Sequence, residues 1–385
     1  MSFDFTQTGD FGHDAIKWNR YAGRDILPLW IADMDFAAPP ALVAALQRRV
    51  ARAAFGYAEP LPSLIDTLCQ HLEDEYAWSI EPEWIVWLPG LVTGLNVACR
   101  AVSGAVFSAT PVYPPFLGAP TLSGKPLTTA PLACTDGYWH WDIPRVTAAL
   151  RPDTRLFLLC HPHNPVGRAW HEAELQKIAA LAERHDLIVC SDEIHSGLML
   201  DARPHRPFAT LSAAAAQRSI TLMAPSKTFN MAGLGCAFAL IPEARLRAQF
   251  KAAMAGIVPH VNALGLAACE AAYADCQDWH TAVLTHLRDQ RDHLETRIAQ
   301  IHGLRMSHVE ATYLAWIDAR VLCATRGITH PQRFFEDAGV GLSAGSDFAC
   351  GSGAQNPAQH FVRLNFACPR ATLDQALDRL ETATR

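Results

Sequence analysis

From Trp84 onward the sequence alternates short, almost continuously apolar runs with longer amphipathic ones, and that rhythm leaves few folds open. A strand that is apolar along its whole length must be covered on both faces. A mostly parallel sheet achieves this by returning each crossover as a helix. The expected strands are 84–88, 105–109, 155–160, 187–191, 219–223 and 236–241, and the expected helices are 90–102, 171–185, 243–255 and 261–274. The second of these helices opens near His171 with Glu172 and Glu174 in its first turn, where acidic groups suit the positive helix end.

After about residue 276 the pattern changes to a long polar helix over 279–301, a strand-like run over 311–318, and a strand and helix from 360 to the end. The chain is therefore expected to be α/β, with a large domain over 45–285 and a smaller α+β domain built from 1–44 and 286–385. The Gly- and Ser-rich stretch 343–359 is expected to be a mobile loop.

Composition excludes several classes. With 50% hydrophobic residues, 18% charged residues and a formal net charge of -6, the chain reads as an ordinary globular protein without a basic, nucleic-acid-binding face. Eleven scattered cysteines, none at the two-residue gap of a zinc or redox motif, read as free thiols in a reducing compartment. No apolar stretch reaches the roughly 18 residues of a membrane span, and the first residues lack the pattern of a secretory signal, so the expected location is cytoplasmic. His161 with His163, and His280 with His286, invite a metal reading. No acidic or sulfur ligand recurs at a suitable spacing, and none is expected.

Only five lysines are present, and four of them, Lys17, Lys125, Lys177 and Lys251, read as solvated surface. Lys227 differs, because it follows a predicted strand in APSKTFNMAGLG, among small and hydroxyl residues. That setting suits a lysine that binds a carbonyl cofactor as a Schiff base, with Ser226 as a hydroxyl donor to a phosphate; taken alone it also suits a structural lysine. Asp192, in LIVCSDEIHSG, ends an apolar strand, which is where open α/β sheets place ligands. It reads either as a turn former or as the anion that keeps a pyridine nitrogen protonated. Asn164, in LFLLCHPHNPVGR, is either turn chemistry or a donor to a ring oxygen. Arg363, in the apolar run FVRLNFACPR, needs an anion, supplied by a salt bridge or by a substrate carboxylate.

These segments, in this order, resemble the fold-type I pyridoxal-phosphate (PLP) enzymes of the aminotransferase superfamily. Within it, WIADMDF, FGY, TPVYPPF, SDEIHSG, SKTFNMAGL and VRLNFACPR resemble the MalY/PatB group of carbon-sulfur lyases, the cystathionine β-lyase type. The resemblance implies PLP as cofactor, Lys227 as its Schiff-base lysine and the catalytic base, and Asp192 at the ring nitrogen. It further implies Asn164 and His195 at the phenolic oxygen and Tyr113 stacked on the ring. Backbone donors of Val92 and Thr93 at a helix start would meet the phosphate. Tyr57 would reach the phosphate of a neighbouring subunit, implying a homodimer. Arg363 would take the substrate carboxylate, with Asp33 and Ala32 on the substrate side.

Three departures stand out: His161 where the group usually has Asn, Gly197 where an Asp is common, and Gly235 where many superfamily members carry a phosphate-binding Arg. The implied reaction is β-elimination of cystathionine or a related S-substituted cysteine, giving a thiol, pyruvate and ammonia. An aminotransferase is the nearest rival. A PLP-binding regulator is disfavoured, since no basic extension supplies a DNA-binding module.

Overall fold

In the computed structural model, which describes residues 3–12 and 14–385, seven strands form a central sheet. In chain order they are β1 (Ile85–Leu88), β2 (Ala105–Thr110), β3 (Leu127–Pro131), β4 (Thr154–Cys160), β5 (Ile188–Asp192), β6 (Ser219–Met223) and β7 (Ala237–Leu240). Across the sheet they run β1, β7, β6, β5, β4, β2, β3. Neighbours from β6 to β3 are parallel, whereas β7 is antiparallel to both β1 and β6.

The apolar strands are explained by two covered faces. Along β4, Leu156, Leu158 and Cys160 pack into one core with Leu91, Leu95 and Ala98 of the helix Leu91–Ala101. The alternate residues Phe157 and Leu159 pack into a second core with Leu175, Ile178 and Leu181 of the helix Glu172–Arg184. Successive side chains of a strand point to opposite faces, so such a strand needs apolar residues at every position. The Glu172–Arg184 helix starts as its sequence predicts, with Glu174 accepting a hydrogen bond from the backbone of His171 at 3.0 Å. Strand β3, LTTAP, was not expected; it is a half-buried edge strand whose Thr-rich sequence carries no apolar run.

A second, antiparallel sheet is formed by β8 (Arg305–Met306), β9 (Leu314–Asp318), β10 (Ser343–Ala344) and β11 (Phe361–Asn365), in the order β8, β9, β11, β10. The N-terminal segment joins this part of the chain. Leu27–Pro28 pairs in parallel with Val340–Gly341, and Leu29, Met34 and Phe36 share a core with Leu294, Val362, Leu364 and Leu377. Phe229 and Met231, just after Lys227, belong to the same core. The expected divisions after residues 44 and 285 fall inside the helices Pro40–Val50 and Gln277–Gln300, each of which runs on through them.

Two expectations are corrected. Lys17 is buried rather than solvated: its amine lies 2.8 Å from the Asp35 carboxylate and donates to the Asp33 carbonyl at 3.1 Å. Its neighbours in sequence, IKWN, form a single helical turn folded under the 30–36 segment, which local polarity does not reveal. The 343–359 stretch is also organised around a buried side chain, because the Asn356 amide donates to the carbonyls of Ser346 and Ala349 at 2.8 and 3.1 Å.

Removing Lys17 leaves the Asp35 carboxyl buried without its cation, and burial already pushes that carboxyl above the usual range. Lys17→Met is expected to cost about 3–5 kcal/mol, read as a large drop in the urea midpoint. An unchanged midpoint would show that the pair contributes nothing.

Candidate active site

Strands β6, β5, β4 and β2 stand side by side and point the same way, so their carboxyl ends form one edge. That edge delivers Lys227 just beyond β6, Asp192 as the last residue of β5, Asn164 just beyond β4 and Tyr113 just beyond β2. Open parallel sheets bind ligands at such an edge because the loops there diverge while the strands hold them fixed. The loops are cross-linked: His161 N donates to the Asp192 carbonyl at 2.9 Å, and Tyr113 N to the Asn164 carbonyl at 3.0 Å.

Arg363 comes from β11 of the second sheet and reaches this edge. Its Nη1 donates to Asn164 Oδ1 at 2.9 Å, and its Nη2 to the Trp30 carbonyl at 2.9 Å and to Ser343 Oγ at 3.3 Å. The guanidinium lies 4.9 Å from the centre of the Phe348 ring. It is buried, no carboxylate of the described residues lies within ion-pair distance, and its Nε has no partner. Burial lowers its pKa to about 10. Of the two anions that the sequence leaves open, the structural salt bridge is thereby removed. A guanidinium in this state is set to receive an anionic ligand.

Lys227 is half-buried, and its amine donates to the Ala32 carbonyl at 2.6 Å, with Asp33 Oδ1 at 3.8 Å. Burial lowers its pKa, opposed by the nearby Asp33 carboxylate and reinforced by Arg363. The loop is stitched down by Asn230, whose amide donates to the Met34 and Phe36 carbonyls at 3.1 and 2.8 Å and whose Oδ1 accepts from Met34 N at 3.1 Å. Asn230 sits at φ 51°, a backbone region that Asn tolerates better than most residues.

Asp192 is buried, and Oδ1 accepts a hydrogen bond from Ile194 N at 3.1 Å. Burial raises the carboxyl to about 7, with the adjacent Glu193 adding to the rise and Lys227 opposing it. It needs a positive partner to stay ionised at neutral pH. His195 is buried with its Nδ1 unpartnered; burial, then Lys227 and Arg363, depress it to about 3, so the imidazole is neutral. Burial also raises the Tyr113 hydroxyl, and the Asp192 carboxylate adds to the rise.

The remaining expected residues stand apart from this hydrogen-bonded group. Val92 and Thr93 lie in the first turn of the Leu91–Ala101 helix, whose N-cap Gly90 gives no side-chain cap. Ser226 is half-buried beside Lys227. Tyr57 is fully exposed, in the stretch between the helices Pro40–Val50 and Pro62–Tyr76. Gly235 has φ 60°, and a Cβ there would sit 3.0 Å from the Pro89 carbonyl, so an arginine at this position is strained. Sequence reasoning missed Tyr313, Ser343, Asn365 and the Trp30 carbonyl. Tyr313 was visible only as one residue of the ATYLAWID run. A cleft of about 970 Å³, bordered by Trp139, Met306, Trp316 and Arg320, includes none of the convergent residues.

The histidines considered as metal ligands have other partners. His163 faces the Pro111 carbonyl, His280 the Gly197 carbonyl and His286 the Cys368 carbonyl, while His161 bonds through Nε2 to the Arg206 carbonyl at 3.0 Å and lies tilted against His205 with ring centres 4.4 Å apart. Among the described residues no cluster of three His, Cys, Asp or Glu suits a metal, and no helix is long and apolar enough to cross a membrane.

An open α/β sheet that brings a lysine, an aspartate and an asparagine to its carboxyl edge, with an arginine from a second sheet, defines the class. The chain belongs to the aminotransferase class I and II family, whose model matches residues 24–380. Over its full length it is 34% identical to cystathionine beta-lyase PatB of Bacillus subtilis, covering 100% of both chains. It is similar to the crystal structure of OvoB, at 45% identity, 99% coverage of each chain and a TM-score of 0.94. It is also similar to cystalysin from Treponema denticola, a structure that contains a pyridoxal 5'-phosphate cofactor, at 29% identity, TM-score 0.93 and coverage of 100% of this chain and 99% of that one.

The raised Asp192 carboxyl carries a stability signature in the cofactor-free protein. Its folded pKa lies above the unfolded value, so its contribution is full below about pH 4 and is lost as pH rises through about 7. Asp192→Asn keeps the shape of the protonated carboxyl, so its unfolding midpoint should gain on that of the parent as pH rises from about 4 to about 7, and level off above that. The gain is about 1.4 kcal/mol for each pH unit by which folding raises the carboxyl. A difference that is flat with pH would place the titration elsewhere.

Proposed function

We propose that the protein is a PLP-dependent carbon-sulfur β-lyase that cleaves cystathionine or related S-substituted cysteines to a thiol, pyruvate and ammonia. The carrying observation is the buried Arg363 guanidinium, which has no carboxylate partner among the described residues and bonds to Asn164, while Lys227 feels the charges of both Arg363 and Asp192. An amino acid bearing an α-carboxylate supplies the missing anion, and a cationic ring nitrogen supplies the positive charge that Asp192 needs. Full-length likeness to a protein named cystathionine beta-lyase supports the lyase reading over the aminotransferase one.

When bound, PLP supplies an electron sink for the electrons freed at the substrate α-carbon. The residues of this chain do the rest. Lys227 anchors the cofactor covalently, and its amine, once released, takes the α-proton at Nζ. Asp192 keeps the ring nitrogen charged. Asn164 turns Oδ1 to Arg363, which leaves its NH₂ free to hold the ring oxygen; His195, whose Nδ1 is unpartnered, would help hold that oxygen, and Tyr113 would hold the ring. The backbone of Val92 and Thr93, with the Ser226 hydroxyl, would hold the phosphate, since Gly235 offers no guanidinium for it. Arg363 grips the carboxylate, with Asp33 and Ala32 beside the substrate. The bond that breaks joins the β-carbon to sulfur, and a thiolate leaves without a dedicated acid. One water is consumed in forming pyruvate and ammonia.

The proposal includes a homodimer, in which the exposed Tyr57 enters the neighbouring site, and a cytoplasmic location. It also includes a large domain over 45–285 with a smaller one from 1–44 and 286–385. Purified protein given cystathionine should release pyruvate and free thiol with no keto acid added; amino transfer that requires a keto acid and yields no thiol would overturn the lyase reading. Lys227→Ala should abolish turnover, and Arg363→Lys should raise KM by roughly tenfold or more with a smaller change in kcat, because the forked grip is lost.

A further inference from the structure

The Lys227 amine has a built resting place that the β-elimination leaves unassigned. Its hydrogen bond at 2.6 Å goes to the Ala32 carbonyl, and that same oxygen accepts from the Tyr313 hydroxyl at 2.9 Å. The backbone that presents this oxygen is fixed on both sides. Asn365 Nδ2 donates to the Ile31 and Asp33 carbonyls, each at 2.7 Å, and the Lys17 amine donates to the Asp33 carbonyl at 3.1 Å. The Asp33 carboxylate stands 3.8 Å from the lysine nitrogen.

We propose that the Ala32 carbonyl and the Asp33 carboxylate form a berth for the Lys227 ammonium, and that Tyr313 is a positioning residue which sets how tightly the berth holds it. The proposal rests on Lys227 being the cofactor lysine, and it reassigns Ala32 and Asp33 from the substrate to the lysine. A base that has taken a proton becomes a cation, and a carbonyl oxygen with a carboxylate beside it is the site in this chain that receives one. Two donors on one carbonyl oxygen compete for the same electron density. The Tyr313 hydroxyl therefore weakens the hold on the ammonium while keeping Ala32 in place, so the amine can return its proton and rejoin the cofactor.

The groups facing Lys227 come from every surrounding element: Asp33 from the N-terminal segment, Asp192 from β5, His195 just after it, Arg363 from β11, and Tyr313 between Thr312 and β9. Among the described residues the acidic partners of Lys227 are Asp33 and Asp192, and Asp192 is the one set aside for the ring nitrogen. Asp33 is thus the group whose removal changes the lysine's affinity for a proton without touching the cofactor ring.

Cofactor uptake by the cofactor-free protein reads this directly. Uptake joins the PLP aldehyde carbon to Nζ and expels one water, and only the neutral amine attacks, so the pH midpoint of the uptake rate follows Lys227. The change is monitored as the absorbance of the lysine-bound cofactor. Asp33→Asn should move the midpoint down by about one pH unit. Tyr313→Phe should move it up by a smaller amount, with kcat falling more than KM rises. An unmoved midpoint in Asp33→Asn, or a downward one in Tyr313→Phe, would overturn the berth. Should Tyr313→Phe fail to fold, Asp33→Asn decides alone. Failure of the cofactor reading is separate: in that case Lys227→Ala would take up PLP with the same absorbance change as the parent.

Discussion

The five carbonyls from Trp30 to Met34 each accept a hydrogen bond from a distant side chain, and the active-site edge depends on that strip. Arg363 and Ser343 bond to Trp30, Asn365 to Ile31 and Asp33, Lys227 and Tyr313 to Ala32, Lys17 to Asp33, and Asn230 to Met34. Backbone carbonyls away from regular structure still require partners, and here side chains supply them. Because two of the donors are Lys227 and Arg363 themselves, satisfying the strip also sets where the two charged groups stand. Order in the backbone and order in the site are the same set of bonds.

Electrostatics follows from the burial that this packing creates. The edge holds two acids side by side, Asp192 and Glu193, both lifted to about 7 by burial, while His161, His195 and His205 are depressed to about 3. Glu193 is satisfied by Ser191 Oγ, Phe208 N and His205 Nε2 at 2.8, 3.0 and 2.7 Å, so it is a bonded group behind the site. Asp192 accepts from the backbone of Ile194 through one oxygen. The difference between two adjacent carboxylates lies in which of them the fold has already satisfied.

The sheet was legible in the sequence because its signal is local. Six of its seven strands appear within a residue or so of where continuous apolar runs put them, since a doubly covered strand must be apolar throughout. Strand β3 escaped because an edge strand needs no such run. That Lys227, Asp192 and Asn164 would meet at one edge was legible for a related reason: each follows or ends a strand, and parallel neighbours bring their ends together. The roles of Tyr313, Asn365 and Lys17 were not legible. Their partners lie 281, 334 and 16 residues away. A buried ion pair and a surface lysine have the same spelling until the fold decides between them.

The order of the chain gives the strip a further consequence. All seven strands of the central sheet lie between residues 85 and 240, whereas the partners that close over residues 30–34 include Tyr313, Ser343, Arg363 and Asn365. During synthesis the strip emerges first and its last partners emerge almost at the end, so the lysine edge exists as a scaffold well before it exists as a site. A ribosome that stops short of β11 releases a chain that can own a complete sheet and still lack the buried Arg363 guanidinium at its edge.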